Sequence, residues 1–213
     1  MNFDKFLVSI SKIENIPLPA EPSQFKMSPP FRMELLRQQK EAIKHAKKAG
    51  VLALFYPNSQ HQTTLVLILR KTYKGVHSGQ VGFPGGKIEK QDQSLEAAAL
   101  RETYEEIGVP INQVEVRRQL TEVYIPPSNF YVQPFIGVSR TTPTFTKQED
   151  EVEAIIEVPL QHFFDEEAVT LKRVSTSYKL DVEVPAFKLN DNVVWGATAM
   201  ILSEIKDLLK QLL

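Results

Sequence analysis

The spacing of apolar residues changes twice along the chain. Residues 2–16 and 31–48 carry them at helical intervals, and the stretch from Pro17 to Pro30 between them holds five of the 14 prolines. This predicts a helical arm over residues 1–50, ahead of a main domain over 51–213. From Val51 the period shortens. Val51 to Tyr56 and Thr64 to Leu69 are compact apolar runs separated by a polar stretch that begins Pro57-Asn58-Ser59, as in two buried strands joined as a hairpin. Residues 94–107 return to a helical period, with Ser94 as N-cap, Gly108 as the stop and Pro110 just beyond. Segments 114–124, 130–139, 151–158, 168–175 and 178–187 read as strands. Residues 196–212 read as a closing amphipathic helix with Met200, Ile201, Ile205, Leu208, Leu209 and Leu212 on its apolar stripe. The expected class is α/β, a mixed sheet with helices on its faces.

The helix over 94–107 also carries candidate chemistry. At 100° per residue, with Ala97 at zero, Glu105 falls near 80°, Glu102 near 140° and Glu106 near 180°, while Leu100, Tyr104 and Ile107 cluster around 280–360° with Ala97. The expectation is an acidic face opposite an apolar one. An acidic helix face is usually solvated surface. Here it follows a glycine-rich run, Gly79-Gln80-Val81-Gly82-Phe83-Pro84-Gly85-Gly86, in which glycines let backbone amides approach an anion closely. Converging carboxylates resist joint ionisation unless a cation compensates them, and hard divalent ions with oxygen ligands do so. The pair of features points to phosphate chemistry assisted by a hard divalent ion such as Mg2+.

Composition narrows the alternatives. The chain has 213 residues, 25 Lys and Arg against 26 Asp and Glu, and no cysteine. Thiolate zinc sites, disulfides and cysteine nucleophiles are excluded. A net charge of -1 gives no global attraction to nucleic acid or an anionic membrane, so neither is an expected partner. The start Met1-Asn2-Phe3-Asp4-Lys5 lacks the basic lead and apolar run of a signal peptide, and no stretch approaches the ~20 apolar residues of a membrane span. The expected location is cytoplasmic.

Gly86, five residues, Asp92, eight residues, and then Arg101-Glu102-Thr103-Tyr104-Glu105-Glu106-Ile107-Gly108-Val109 resembles the Nudix box of the Nudix hydrolase superfamily. The usual box has glutamate at the position of Asp92 and a second spacing one residue shorter. That departure resembles the coenzyme A pyrophosphatase branch. Leu67, Arg70, His77, Gly79, Gln80, Val81, Phe83, Pro84, Gly85 and Gly86 resemble the branch's upstream signature. Gly75 stands where that signature has a second arginine and Lys74 where it has leucine, so Lys71 or Lys74 would take over a phosphate contact made by that arginine. Glu151-Val152, followed by Val158-Pro159-Leu160, resembles a family segment whose acid faces the metals.

The resemblance implies an α/β/α sandwich with a mixed β-sheet, hydrolysing a diphosphate linkage with Mg2+ or Mn2+. It implies Glu102, Glu105 and Glu106 as metal ligands. The general base stays open among Glu102, Glu105 and Glu151, with Arg101 orienting a glutamate. Arg70, His77, Gln80, Gly85 and Gly86 are the implied substrate contacts. The implied substrate is a small nucleotide of the coenzyme A type, cut to adenosine 3',5'-bisphosphate and 4'-phosphopantetheine, with a homodimer as the candidate assembly. The alternatives are a Nudix hydrolase of ADP-ribose, NADH or a nucleoside triphosphate, and a non-catalytic nucleotide-sensing Nudix module.

Overall fold

The computed structural model describes residues 1–72, 79–174 and 182–213. His77 and the part of segment 178–187 before residue 182 lie outside the described residues.

The two central strands behave as their composition dictates. Strand β1 (Lys47–Pro57) and strand β2 (Thr63–Arg70) form an antiparallel hairpin with Phe55 opposite Leu65 and Tyr56 opposite Thr64. Both are buried on two faces, which is why they read as continuous apolar runs instead of alternating ones. Their side chains divide with period two: Leu52, Leu54, Tyr56, Val66 and Ile68 enter one core layer, and Ala53, Phe55, Leu65 and Leu67 enter the other.

Around the hairpin stand β3 (Val81–Gly82), β4 (Gly85–Lys87), β5 (Glu115–Gln119), β6 (Val123–Ile125), β7 (Phe130–Val138) and β8 (Val152–Pro159). They make one eight-stranded sheet with the path β3-β2-β1-β7-β5, to which β4 adds on β1, β6 on β7 and β8 on β2. The β1 and β7 strands run parallel, from Lys47 beside Phe130 to Phe55 beside Val138, and the other pairs are antiparallel. The sheet is therefore mixed, as expected. A smaller antiparallel sheet contains β9 (Val169–Val174), β10 (Val182–Leu189) and β11 (Asn192–Trp195) in the order β11-β10-β9.

The helices are α1 (Phe3–Ile10), α2 (Ala20–Phe25), α3 (Arg32–Gln38), α4 (Lys40–Ile43), α5 (Leu95–Ile107), α6 (Leu160–Phe164) and α7 (Gly196–Lys210). Helix α5 covers one face of the large sheet, packing Ala99 and Ile107 on Leu52, Leu54 and Phe135. It comes close because residue 50 has no side chain: a Cβ there would stand 2.0 Å from the Leu95 carbonyl oxygen. Helices α7 and α1 cover the other face, where Phe3, Phe6 and Ile10 share a core with Phe55, Ile201 and Ile205. The result is an α/β/α sandwich.

Several boundaries differ from the sequence pattern. The 31–48 period breaks at Ile43, and Lys47 and Lys48 already belong to β1, because the parallel pairing with β7 extends the strand past its apolar run. The 114–124 segment divides into β5 and β6 at Leu120, whose buried side chain turns into the core. Helix α2 lies inside the proline-rich stretch and β11 was not expected. A buried polar network holds α2 in place. Gln24 Nε2 donates to Glu204 Oε2 (2.8 Å) on α7 and to the Thr121 carbonyl (3.1 Å), and Thr121 Oγ1 donates to Glu204 Oε1 (2.7 Å).

Candidate active site

Helix α5 begins at a capped turn, with the Ser94 hydroxyl accepting from the Ala97 amide (3.0 Å), and stops at Gly108, which takes the left-handed conformation (φ 76°). The structure corrects the placement of its faces. Tyr104 is 54% exposed, whereas Glu106 is 2% exposed and lies among Ala98, Ala99, Thr103 and Ile107 on the inward side. The helix is rotated from the apolar-stripe expectation because its buried side consists of small residues, with the Thr103 hydroxyl satisfied by the Ala99 carbonyl (2.7 Å). Glu106 is thus aimed into the protein and not at the solvent.

Glu106 is received by the glycine-rich turn. Its Oε2 accepts from the Gly85 amide at 2.8 Å, and its Oε1 pairs with Arg70 Nη2 at 3.2 Å, while that same nitrogen donates to the Gly85 carbonyl at 2.9 Å. Burial pushes the Glu106 carboxyl up to about 7, against the opposing pull of Arg70 and the Gly85 amide; Glu102 and Glu151 push it further up. Burial also raises Glu102, with Arg101 opposing. Gly86 leaves room for Glu102: a Cβ at position 86 would stand 2.4 Å from the Glu102 carboxyl carbon.

Arg101 organises the outer acids. Nε and Nη2 donate to the two Asp92 oxygens at 2.9 and 3.0 Å, Nη1 donates to Glu102 (3.0 Å) and Glu105 (2.8 Å), and Nη2 also meets the Lys87 carbonyl (3.2 Å). Asp92, the acid of the box before the helix, is drawn in by these contacts. Its side chain is 4% exposed, it caps the Glu89 amide (2.7 Å), and the Arg101 hydrogen bonds hold its carboxyl below the usual range.

Glu151 reaches the same place from another element. The Gln148 amide donates to the Glu106 carbonyl (2.9 Å), Gln148 Oε1 accepts from the Glu151 amide (2.7 Å), and the Glu151 carbonyl accepts from the Lys71 amide (2.9 Å). The 146–151 segment is therefore fixed to the end of α5 and to β2. Arg70, Gly85, Gly86, Lys87, Glu102, Glu105, Glu106, Gln148 and Glu151 line one cavity of about 570 Å³. Lys87, Glu89 and Gln148 are residues that sequence reasoning did not single out. Gln148 carries no motif signal of its own, since its role depends on a tertiary contact.

Gln80 stands apart from the acids, in an adjoining slot of about 250 Å³ that shares Arg70, Gly85, Gly86 and Lys87 with the acidic cavity. The slot's far wall is the β6–β7 turn, with Ile125, Ser128 and Phe130. The N-terminal arm braces this wall: Arg32 Nη2 donates to the Tyr124 carbonyl (2.7 Å), and the Tyr124 hydroxyl bonds Gln39 and Asn129 (3.0 Å each).

Among the described residues no three acids or imidazoles already stand in a ligating arrangement. The donor set nevertheless suits a hard dication. Five carboxylates (Glu89, Glu102, Glu105, Glu106 and Glu151) face one cavity against Arg70, Arg101 and Lys87, and the burial and mutual repulsion of Glu102 and Glu106 are what a cation relieves.

A glycine turn thus grips a buried glutamate next to an arginine-organised acid cluster on the helix that covers the sheet. The NUDIX domain model matches residues 45–178, more than half of the chain, and the chain belongs to this family of hydrolases acting on nucleoside diphosphate derivatives. Enzymes of the family work with divalent cations such as Mg2+ or Mn2+. The chain is 36% identical over 151 residues to a protein named uncharacterized Nudix hydrolase NudL from Yersinia enterocolitica, covering 68% of this chain and 73% of that one. It is 33% identical over 195 residues to the NudL protein of Pectobacterium atrosepticum, covering 86% and 90%. Among solved structures, a Nudix hydrolase from M. smegmatis, RenU, shares the fold with a TM-score of 0.54 at 15% identity, over 79% of this chain and 88% of that one. Among the described residues no helix is long and apolar enough to cross a membrane.

Proposed function

We propose that this protein hydrolyses the diphosphate linkage of coenzyme A or its derivatives, giving adenosine 3',5'-bisphosphate and 4'-phosphopantetheine, with Mg2+ or Mn2+. The observation that carries the proposal is the meeting of two motifs in one cavity: the signature residues Arg70, Gly85 and Gly86 contact or face Glu102 and Glu106 of the box. Residues 1–50 and 51–213 are proposed as arm and catalytic unit, acting as one body because Phe3, Phe6 and Phe55 share a core.

In this reading Glu102, Glu105 and Glu106 hold the cation, which when bound neutralises charge on the phosphoryl oxygens and acidifies water. Arg70 and the Gly85–Gly86 backbone orient the diphosphate. Glu151 is the favoured base, since it is exposed in the cavity and its carboxylate has no hydrogen bond or ion pair among the described residues, unlike Glu102 and Glu105, which Arg101 holds. It takes the proton from water as the oxygen bonds to one phosphorus; the bridging P–O bond breaks and its electron pair leaves with the other phosphate. Gln80, and His77 from outside the described residues, are proposed substrate contacts. A cytoplasmic location and a homodimer belong to the same proposal.

Initial rates on coenzyme A, ADP-ribose, NADH, diadenosine polyphosphates and 8-oxo-dGTP with each metal test it. Coenzyme A should be the preferred substrate. Cleavage of ADP-ribose without coenzyme A turnover overturns the substrate assignment and leaves the chemistry standing.

A further inference from the structure

The acidic cavity accounts for a diphosphate but not for what is attached to it. Opening from that cavity past Arg70 and Lys87, the adjoining slot changes character abruptly. Deeper in, it is walled by Val81, Phe83, Ile125, Phe130, Val132 and Ile201, and its charged lining among the described residues is confined to the mouth it shares with the acidic cavity. A group carrying a second phosphate would lose hydration there without a compensating charge among the described residues.

Among the described residues, Gln80, Thr198 and Ser128 interrupt the apolar wall, and the Thr198 hydroxyl is taken up by the Val81 carbonyl (3.1 Å). The Ser128 hydroxyl is buried and has no hydrogen-bond partner among the described residues, although buried polar groups are ordinarily paired. It sits on the turn that the arm braces through Arg32, Tyr124 and Gln39, so its position is held from behind.

We propose that this slot takes the uncharged half of the substrate, an apolar group bearing an amide or hydroxyl that completes the hydrogen bonding of Ser128. The inference rests on the diphosphate-hydrolase reading for its link to turnover. A neutral pantetheine-type amide arm and an unphosphorylated nucleoside share this chemistry. For coenzyme A, whose adenosine half carries the 3'-phosphate, the slot selects the pantetheine arm.

Calorimetric titration of the full chain with pantetheine and, separately, with adenosine tests the slot without requiring turnover. At least one uncharged probe should bind. Ile125→Lys, which brings a charge into the wall, should weaken it tenfold or more. Ser128→Ala, a milder change that preserves the fold if Ile125→Lys does not, should weaken it about fivefold, the loss of roughly one hydrogen bond. Binding by pantetheine identifies the amide arm as the occupant, and binding by adenosine identifies the nucleoside. Binding of neither probe, or binding that ignores Ser128→Ala in a folded protein, overturns the proposal. Coenzyme A turnover that survives such a result leaves the hydrolase reading intact. Slot-dependent binding without hydrolysis of any diphosphate overturns the hydrolase reading and keeps the slot.

Discussion

The acidic cavity and the apolar slot share Arg70, Gly85, Gly86 and Lys87, yet they are built from different parts of the chain and by different means. The cavity is local: β4, the turn after it and α5 lie within residues 85–107, and a short run of residues supplies most of its charge. The slot is assembled across the chain, with walls from β3, the β6–β7 turn and the first turns of α7, braced by α3 and Gln39. Chemistry that must be held within a fraction of an ångström is encoded compactly, while the selective surface depends on how distant elements pack.

This comparison yields its largest test at Glu106. Glu106→Gln removes the buried negative charge but keeps an acceptor for the Gly85 amide, so turnover should fall by a factor on the order of 10³ while the fold persists. Steady-state kinetics with circular dichroism checks this, and near-normal turnover would remove Glu106 from the metal set. Next in size is Gly86→Ala. Its methyl group competes for the space of the Glu102 carboxylate, and a displacement on this scale should lower kcat by about 10². Rates unaltered by that methyl group would show that the Glu102 position is not critical.

A smaller effect is expected at Arg101→Lys, because lysine keeps the charge but cannot bind both Asp92 oxygens and still reach Glu102 and Glu105. Turnover should fall on the order of tenfold. Restoration by Arg101→Lys of everything that Arg101→Ala loses would reduce the role of Arg101 to charge alone. The smallest effect belongs to the slot. Arg32→Ala frees the Tyr124 carbonyl and should raise KM about fivefold with a lesser change in kcat. An equal fall in kcat would instead tie the arm to the acidic cavity.

The same division explains what could be read from the sequence. The β1–β2 hairpin, the capped helix α5 and α7 follow from period, caps and stops that lie within each segment. The gathering of Arg101, Glu102, Glu105 and Glu106 at one candidate site was legible for the same reason. Their orientation was not, because angular counting assigns the inward face by apolarity, and α5 packs through Ala98, Ala99 and Thr103 with a carboxylate among them. The burial of Asp92 was not legible because it comes from pairing with Arg101 on the following helix. Gln148, Ser128 and the bracing residues Arg32 and Gln39 carry no motif at all. Their roles arise from contacts between segments far apart in the chain.

Phosphorus NMR of coenzyme A incubated with the protein, with Mg2+ and then with a chelator added, tests the central claim most directly. Equal appearance of 4'-phosphopantetheine and adenosine 3',5'-bisphosphate, arrested by the chelator, is the predicted result. Coenzyme A signals that persist with Mg2+, or cleavage that continues after the metal is removed, would contradict it.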